Sequence, residues 1–492
     1  MSAGSLFLGF DVGTQSTKAL VIDAATNAVV ARGSAPHEMI PGLLPGHVEQ
    51  DPAMWLGAVR KSGNEALAQV DRAHIAGIAV SGQQHGCVVL DEQQRVVRPA
   101  KLWCDTATAA EARELAARLG RAVPTGFTAS KLLWLARHEP ANWARVRSVL
   151  LPHDYVNLYL TGERSMECGD ASGTGFFDPI ARSLDPRAMT AIDARLPAML
   201  PPLRGPGTLA GRLTATAAAD LGLTAGIPVA TGGGDNMMSA VGSGATSAGV
   251  VVTSLGTSGT IFTRTTSPVL DRRGLIAPFC SSDGAWLPLL CVMNLTGVTE
   301  EVKTLTGLSH RELTAAAAAV PPGCAGLTML PFLLGERVPD LPEATGTLLG
   351  LRPGLLRPGH LYRAAFEGTA LNLGLGLDQL RATGVPIDEV RLTGGAAQNA
   401  LWCQILADVF AVPVRVLAET ESAALGAALQ AAWTVRRLAG EAALTTADVA
   451  APFVRTGPPV LPQGHLRAQH EALRGHFRTQ LERLHPGAHA AT

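Results

Sequence analysis

A short polar turn near the start of the chain has the residue types of a phosphate site. An apolar run ends there in a carboxylate, and glycine and hydroxyl residues follow. The residues of this turn are Asp11, Gly13, Thr14, Gln15, Ser16 and Lys18. A strand that ends in Asp and turns through Gly lets backbone amides and hydroxyls converge on a phosphate, and Asp11 would hold Mg²⁺, which prefers carboxylate, water and phosphate oxygens. Taken alone, the same residues also suit an ordinary β-hairpin turn.

A second polar turn, GGGDN at residues 232–236, joins three glycines to a carboxylate. The glycines remove side-chain bulk, so backbone, ligand and the carboxylate of Asp235 can come close together. Phosphoryl transfer to an alcohol requires a carboxylate near the nucleophilic oxygen, and Asp235 suits that role. By itself, such a segment is more often a tight turn in which Asp and Asn accept local backbone hydrogen bonds.

The segment SGQQHG at residues 81–86 follows an apolar run with several polar side chains in a row. A binding loop at the carboxyl end of a sheet has this pattern. Gln84 and His85 can each donate and accept hydrogen bonds, which suits a polyol. An isolated histidine is more often a surface residue or a satisfied core residue, but the glycines on both sides favour a ligand-binding loop.

Two further turns follow predicted strands in the second half of the chain, at residues 254–259 and 394–399. The first is rich in hydroxyls and suits the β and γ phosphates of a nucleotide, and the second has a double glycine that suits adenosine. The residues that would make these contacts are Gly256, Thr257, Ser258, Gly394, Gly395 and Asn399. Either turn is also compatible with an ordinary turn that binds no ligand. Residues 335–340 are likewise compatible with a loop that holds an internal Glu–Arg pair.

The elements that carry these turns alternate between strands and helices. Three short apolar runs separated by turns, at 5–10, 19–23 and 29–33, predict a strand meander. Asp51 predicts an N-cap for a helix that begins at Pro52. Strands interleaved with helices indicate an α/β layer structure.

Later segments add helices and a repeat of the first turn. Apolar residues at helical spacing predict one helix over 128–147, a second over 361–380 and a third over 466–484. Residues 9–18 and 254–260 each place Gly-Thr and a further hydroxyl after a strand. Two related domains that share one ligand would explain this similarity.

The length of the chain also favours two domains. A chain of 492 residues exceeds what one hydrophobic core usually supports. Glycine and small residues crowd the segment that ends at Gly244, so we place a domain boundary there. The sequence thus predicts an N-terminal domain at 1–244, a C-terminal domain at 245–435 and a helical appendage at 436–492.

Composition and charge argue against several classes of protein. The chain has 40 basic and 41 acidic residues, and no polybasic stripe indicates nucleic acid or an anionic membrane as a partner. The first ten residues lack the features of a secretory signal, and no apolar run is long enough to span a membrane. Seven scattered cysteines without CxxC spacing fit a reducing cytoplasm. We therefore expect a cytoplasmic protein, and the sequence leaves a homodimer open.

In their order along the chain, these segments resemble the FGGY family of carbohydrate kinases over roughly residues 5–435. The segments that carry the resemblance are VEQDPAMW (48–55), SGQQHG (81–86), LWCD (102–105), GFTASKLLW (126–134), LPHDY (151–155), DASGTGFFD (170–178), GGGDN (232–236), SLGTSG (254–259), PFLLGER (331–337) and LTGGAAQNALWCQILAD (392–408). So long a colinear series is specific, unlike any one of its members. Within the family, the segments are most similar to those of the kinases that phosphorylate xylulose.

The resemblance implies two ribonuclease H-like domains of the actin and hexokinase superfamily, which close over an interdomain cleft. It implies ATP-dependent phosphorylation of a ketopentose, D-xylulose above all, with ATP and Mg²⁺ as cofactors and a small-molecule sugar as the partner. Asp235 matches the family's catalytic base, and Asp11 matches a metal-associated carboxylate important for activity. The implied sugar contacts are Gln84, His85, Trp103, Asp235 and Asn236.

Two alternatives stay open at this point. Gln84, Cys104 and Asp340 depart from the residues usual in the family, so a kinase for another pentulose, a hexulose or a polyol fits the same segments. A noncatalytic, ATP-switched regulator of the same superfamily is the more remote alternative. The sequence shows neither the peptide-binding nor the DNA-binding addition that such a protein usually carries.

Overall fold

A computed structural model of the protein describes residues 5–271 and 273–488. In the first half of the chain the strands are β1 (Leu6–Val12), β2 (Ser16–Asp23), β3 (Ala28–Pro36), β4 (Glu49–Gln50), β5 (Ile75–Gly82), β6 (Val88–Leu90), β7 (Ala100–Lys101), β8 (Ser148–Leu150), β9 (Met166–Glu167), β10 (Phe177–Asp178), β11 (Ser183–Leu184), β12 (Leu203–Arg204), β13 (Leu209–Arg212), β14 (Pro228–Ala230) and β15 (Gly233–Gly234). In the second half they are β16 (Gly249–Ser254), β17 (Gly259–Thr263), β18 (Ala277–Cys280), β19 (Trp286–Val292), β20 (Thr328–Leu330), β21 (Thr347–Leu349), β22 (Ile387–Thr393) and β23 (Val414–Val416).

Helices connect many of these strands. In the first half they are α1 (Pro52–Leu67), α2 (Ala109–Leu119), α3 (Thr128–His138), α4 (Pro140–Arg145), α5 (Pro152–Thr161), α6 (Cys168–Ala171), α7 (Pro186–Ile192), α8 (Leu196–Met199), α9 (Ala215–Leu221) and α10 (Asp235–Gly242). In the second half they are α11 (Thr296–Thr306), α12 (His310–Ala318), α13 (Pro358–Ala382), α14 (Ala400–Phe410), α15 (Ser422–Leu438), α16 (Thr446–Ala450) and α17 (Arg467–Leu484).

The first large sheet has the strand order β13-β14-β5-β1-β2-β3, and β15 pairs with β5 beyond the end of β14. Strands β1, β2 and β3 form an antiparallel meander, as the sequence predicts. Strand β5 runs parallel to β1, and β14 and β15 run parallel to β5. Three parallel strands, β1, β5 and β15, therefore bring their carboxyl ends to the same edge of the sheet.

The second large sheet repeats the arrangement of the first. Its strand order is β18-β19-β17-β16-β22-β23. Strand β16 is antiparallel to β17, as β1 is to β2, and β22 runs parallel to β16, as β5 does to β1. The repeated topology confirms the predicted α/β class with two related domains of the ribonuclease H type.

Two helices, α10 and α15, pack against each other and against the first sheet. Helix α15 approaches β1 so closely that a Cβ at Gly9 would lie 2.2 Å from the carbonyl oxygen of Ala424. The two helices meet through Gly242 and Gly426, where a Cβ would collide with the backbone of the opposite helix. Since α15 runs across residue 435 and covers the first sheet, its packing joins the two halves of the chain. The domain boundaries at 244 and 435 stay predictions.

The helix predicted over 128–147 is wrong, because the chain forms two helices there. Helix α3 ends at His138, and α4 begins at Pro140. Proline has no backbone N–H and disfavours helical dihedrals in the residue before it. Glu139 accordingly has φ −131° and ψ 58°, so the helix breaks at this residue. By contrast, Asp51 caps α1 as predicted, since its side chain accepts a hydrogen bond from the backbone N–H of Ala53.

The C-terminal helix α17 is anchored to the second half of the chain. Asp378, near the end of α13, pairs with Arg474 and Arg478 of α17. Phe477 and Leu481 of the same helix are buried in the core of the second half. Within the described residues, no helix is both long enough and apolar enough to cross a lipid bilayer.

Candidate active site

Asp11 lies near the carboxyl end of β1, between β2 and β5. Its Oδ1 accepts a hydrogen bond of 2.8 Å from the hydroxyl of Ser81, its register partner on β5. The pKa of Asp11 is raised, mainly because the group is buried. The hydrogen bond from Ser81 and the charge of Lys18 act to lower this pKa, and the charge of Glu421 acts to raise it. A half-buried carboxylate at a strand end has the donor chemistry that Mg²⁺ prefers.

Asp235 follows β15 and is the first residue of α10. Gly232 turns the chain into β15 with a φ of +73°, and a Cβ there would lie 2.1 Å from the carbonyl oxygen of Val80, so only glycine fits. Strand β15 then pairs with the last residues of β5, and Asp11 lies on the other side of β5. The structure thus brings Asp11 and Asp235 to the same edge of the first sheet.

The surroundings of Asp235 favour its protonated form. Burial, the charge of Asp11 and the charge of Asp170 together raise the pKa of Asp235 from 3.8 to about 8. Asn236 opposes this shift, because its backbone N–H and its side-chain amide both donate to Oδ1 of Asp235, at 2.8 and 2.9 Å. A carboxylate with a pKa near neutral pH is suited to exchange protons with a substrate hydroxyl.

Gln84, which contacts Asn236, and its neighbour His85 have unused hydrogen-bonding atoms. Oε1 of Gln84 accepts a 3.0 Å hydrogen bond from the Asn236 amide, and its Nε2 is buried with no partner among the described residues. Nδ1 of His85 is likewise buried and unpaired within the described chain. Burial, with the charges of Lys131 and Arg337, lowers the pKa of His85 to about 3, so its imidazole is neutral. These unpaired atoms are available to a polar ligand.

The ring of His85 also touches the second half of the chain. Its centroid lies 4.8 Å from that of Phe127 and 6.0 Å from that of Phe279 on β18. Trp103, which the resemblance assigns to the sugar, is half-buried, and its Nε1 donates a 3.0 Å hydrogen bond to the hydroxyl of Thr14. Trp103 is therefore in direct contact with the first turn.

The two turns of the second half lie side by side at the carboxyl ends of β16 and β22. The backbone N–H of Leu255 donates to the carbonyl oxygen of Thr393 at 2.9 Å. Gly394 has a φ of +92°, and a Cβ there would lie 2.7 Å from the carbonyl oxygen of Leu255. Because the turns touch, residues 256–258 and 394–395 share one edge of the second sheet. Gly395 is exposed, with open space where a Cβ would be.

Asn399 and Lys18 are engaged with other protein groups. The side chain of Asn399 caps α14, accepting from the backbone N–H of Trp402 and donating to the hydroxyl of Thr314. Lys18 forms an ion pair with Glu421, the residue before α15. Within the first turn, Gly13 N–H donates to the carbonyl oxygen of Ser16 at 3.0 Å, and the Gln15 side chain is exposed.

Sequence comparison assigns the chain to a family. The family model for the N-terminal domain of FGGY carbohydrate kinases matches residues 6–242, and the model for their C-terminal domain matches residues 251–435. The chain belongs to the FGGY family of carbohydrate kinases. As an FGGY carbohydrate kinase, it uses ATP to phosphorylate a small-molecule sugar. Its cytoplasmic location, its use of Mg²⁺ and a homodimer stay predictions.

Relatives of this FGGY kinase include two curated xylulose kinases. That of Haemophilus influenzae is 40% identical over 446 residues, which cover 87% of this chain and 90% of the relative. That of Streptomyces coelicolor is 41% identical over 442 residues, covering 87% of this chain and 88% of the relative. The crystal structure of xylulose kinase from Rhodospirillum rubrum has a TM-score of 0.88 at 31% identity, covering 98% of this chain and all of that one.

Several residues near the candidate site do not stand out from the sequence alone. Gln83 and Gln50 are buried behind the first turn, and His153 is buried next to Asp170, with Nδ1 2.6 Å from the carboxylate. Asp170 matters because its charge contributes to the raised pKa of Asp235. The signal that could have found them is their position within VEQDP, SGQQHG, LPHDY and DASGTG, which are among the segments that carry the family resemblance.

The loop at residues 335–340 does not contain the internal Glu–Arg pair that the sequence left open. Glu336 is buried and accepts hydrogen bonds from the backbone N–H of Met293 and the amides of Asn294 and Asn372. Arg337 is exposed, and its backbone N–H, not its guanidinium, donates to Glu336. The buried carboxylate thus fixes the loop, and the positive charge of Arg337 helps to lower the pKa of His85.

A group with metal-ligand geometry lies elsewhere in the first half. Within the described residues, His47, Glu49 and Asp105 place one ligand atom each within 4.8 Å of the others. Nζ of Lys101 lies 3.2 Å from His47 Nδ1, 3.1 Å from Glu49 Oε1 and 2.9 Å from Asp105 Oδ2. The ammonium group of Lys101 therefore already supplies the positive charge that a metal ion would bring to this cluster.

Proposed function

We propose that this FGGY kinase transfers the γ phosphate of ATP to the 5-hydroxyl of D-xylulose, with Asp235 as the general base. The observation that carries the assignment of the base is the position of Asp235 at the edge shared with Asp11, with a pKa raised to about 8. The names and the sequence identity of its relatives support the choice of sugar.

In this proposal the sugar lies against Gln84, His85, Trp103 and Asn236. The two donors of Asn236 bind Oδ1 of Asp235, and we assign Oδ2 to the sugar hydroxyl. As the hydroxyl oxygen bonds to the γ phosphorus, its proton passes to Asp235, and the bond between that phosphorus and the oxygen of ADP breaks. The buried, unpaired Nε2 of Gln84 and Nδ1 of His85 orient the sugar through its other oxygens.

The nucleotide and its metal ion occupy the facing turns in this proposal. Mg²⁺, which neutralises phosphate charge when bound, would be held by Asp11 directly or through water. The turn at 254–259 would bind the β and γ phosphates, together with backbone groups of residues 13–16. Gly395, which has open space beside it, leaves room for adenosine, and Gly394 lets this turn approach Leu255. Asn399 fixes the turn as the cap of α14.

A substrate panel tests the proposed sugar. We expect D-xylulose to give the highest kcat/KM among D-xylulose, D-ribulose, D-fructose, xylitol and glycerol, measured by ADP formation with MgATP. A higher value for another member of the panel would replace D-xylulose as the substrate. Failure to phosphorylate any of them would remove the proposed activity.

Replacement of the base tests its role. We expect Asp235→Asn to lower kcat by about 10²–10⁴-fold, because proton transfer to a positioned side chain contributes that much, and to leave ATP affinity unchanged. The matched control is Asp220→Asn, which alters an exposed carboxyl of the same half. ATP affinity is measured by calorimetry, and activity of Asp235→Asn close to wild type would refute the assignment.

A further inference from the structure

Five side chains behind the first turn form one chain of hydrogen bonds. Trp55 Nε1 and Gln83 Nε2 both donate to Oε1 of Gln50, at 3.0 and 3.1 Å. Gln50 Nε2 donates to the carbonyl oxygen of Thr14 at 2.7 Å. The Thr14 hydroxyl donates to Gln83 Oε1 at 3.1 Å and accepts from Trp103 Nε1 at 3.0 Å. Trp55, Gln50 and Gln83 are fully buried.

The direction of each hydrogen bond in this chain is fixed. Indole Nε1 only donates, so the Gln50 atom that faces Trp55 must be its oxygen. Its nitrogen then faces the carbonyl of Thr14, which only accepts. Gln83 must offer its nitrogen to Gln50 and its oxygen to Thr14. Because every donor meets an acceptor, neither amide can flip without leaving buried groups unpaired.

This pattern also determines what Thr14 can do. Its hydroxyl proton is committed to Gln83, and one of its lone pairs is committed to Trp103. The hydroxyl therefore does not donate to a phosphate. The sequence pattern of the first turn had suggested that it would. The backbone around Thr14 is also fixed. Gln50 donates a hydrogen bond to the carbonyl of Thr14, and the backbone N–H of Gln83 donates to the carbonyl of Val12 at 2.9 Å. The first turn and the indole of Trp103 are thus one connected unit.

We propose that Gln50 and Gln83 are positioning residues that couple sugar binding to the phosphate turn through Thr14 and Trp103. A sugar packed on Trp103 fixes the indole, and the hydrogen-bond chain passes that constraint to the backbone of the turn. The phosphates are then held correctly only when the sugar is present, so without sugar the γ phosphate is not transferred to water with release of ADP. The inference rests on the proposed function, in which Trp103 contacts the sugar.

The stimulation ratio tests this coupling. We define it as the rate of ADP formation with saturating D-xylulose divided by the rate without sugar, both with MgATP. Loss of folded enzyme lowers both rates equally and leaves this ratio unchanged. We expect Thr14→Val, which keeps the shape of the side chain and removes its hydroxyl, to lower the ratio about tenfold or more. Thr14→Ser keeps the hydroxyl and should retain most of the ratio.

A second pair of variants keeps the test valid if Thr14→Val does not fold. Gln83→Leu should lower the ratio in the same way, whereas Gln69→Leu should not, because Gln69 is an exposed glutamine that bonds backbone carbonyls elsewhere in the first half. An unchanged ratio in Thr14→Val and Gln83→Leu would overturn the coupling while the proposed function stands. A wild-type enzyme that is not stimulated by D-xylulose would overturn both.

Discussion

At the scale of single residues, the environment of each carboxylate decides its chemistry. Asp235 and Asp11 lie at one sheet edge, and burial raises the pKa of both. Asp193, a half-buried residue of the same half, is held by Arg195, and its pKa falls to about 2. The residue type is identical in all three cases, so only position distinguishes a candidate base from a structural ion pair.

The raised pKa of Asp235 predicts how activity depends on pH. Only the ionised carboxylate accepts a proton, so kcat/KM for the sugar should rise with pH and level off above an apparent pKa of about 8. Direct quantification of ADP between pH 5.5 and 9 gives this profile, and Asp235→Asn should abolish the rising limb in any residual activity. A flat wild-type profile over this range would contradict the assignment of the base.

At the scale of elements, glycine contacts determine how closely the helices and strands approach. A Cβ at Gly426 of α15 would lie 1.8 Å from the carbonyl oxygen of Met238 in α10, the helix that begins with Asp235. A Cβ at Gly242 would lie 1.9 Å from the carbonyl oxygen of Ser422. The crossing of these two helices therefore sets the position of the candidate base relative to the first sheet.

A Gly→Ala change within this crossing and a Gly→Ala change outside it should alter the free energy of unfolding in opposite directions. Gly426→Ala should lower the free energy of unfolding by about 1–3 kcal/mol, because the helices must separate, and should also lower kcat. Gly57→Ala in α1 is the matched control, since a Cβ there meets no atom within 4 Å. It should raise the free energy of unfolding by about 0.5–1 kcal/mol through helix propensity alone. Chemical denaturation measures both, and equal effects would contradict this account of the crossing.

At the scale of the whole molecule, the candidate sugar contacts lie at the first sheet, and the candidate phosphate and nucleotide turns lie at both sheets. Ion pairs join the halves, with Arg32 2.6 Å from Glu419 and Lys18 paired with Glu421. The ring contact between His85 and Phe279 spans the halves on the side of the sugar site. Transfer of a phosphate between two sheets requires them to enclose both substrates and exclude water.

Closure of the two halves over the substrates predicts that the molecule is more compact with both ligands bound than without them. The radius of gyration measured by small-angle X-ray scattering should decrease when D-xylulose and a nonhydrolysable ATP analogue are added together. Asp235→Asn should become equally compact, because removal of the base spares both pockets. A wild-type radius that does not change at saturating concentrations of both ligands would show that catalysis needs no domain closure.

Much of this architecture is determined by local sequence signals. The meander of β1 to β3, the Asp51 cap of α1 and the turns through Gly232 and Gly394 follow from residue types that act on their own backbone. Even the failed helix over 128–147 has a local cause, since Pro140 breaks it. The sequence by itself therefore determined the elements, the order of the polar turns and the family.

Only the tertiary structure decided which side chains meet. Lys18 pairs with Glu421, and Gln50 joins Gln83 to Thr14, between residues far apart in the chain. The pKa of Asp235 depends on burial and on charges that other segments bring near it. Hydrogen bonds and charge interactions act over a few ångströms, and distances of that size between remote residues exist only after the sheets and helices have packed.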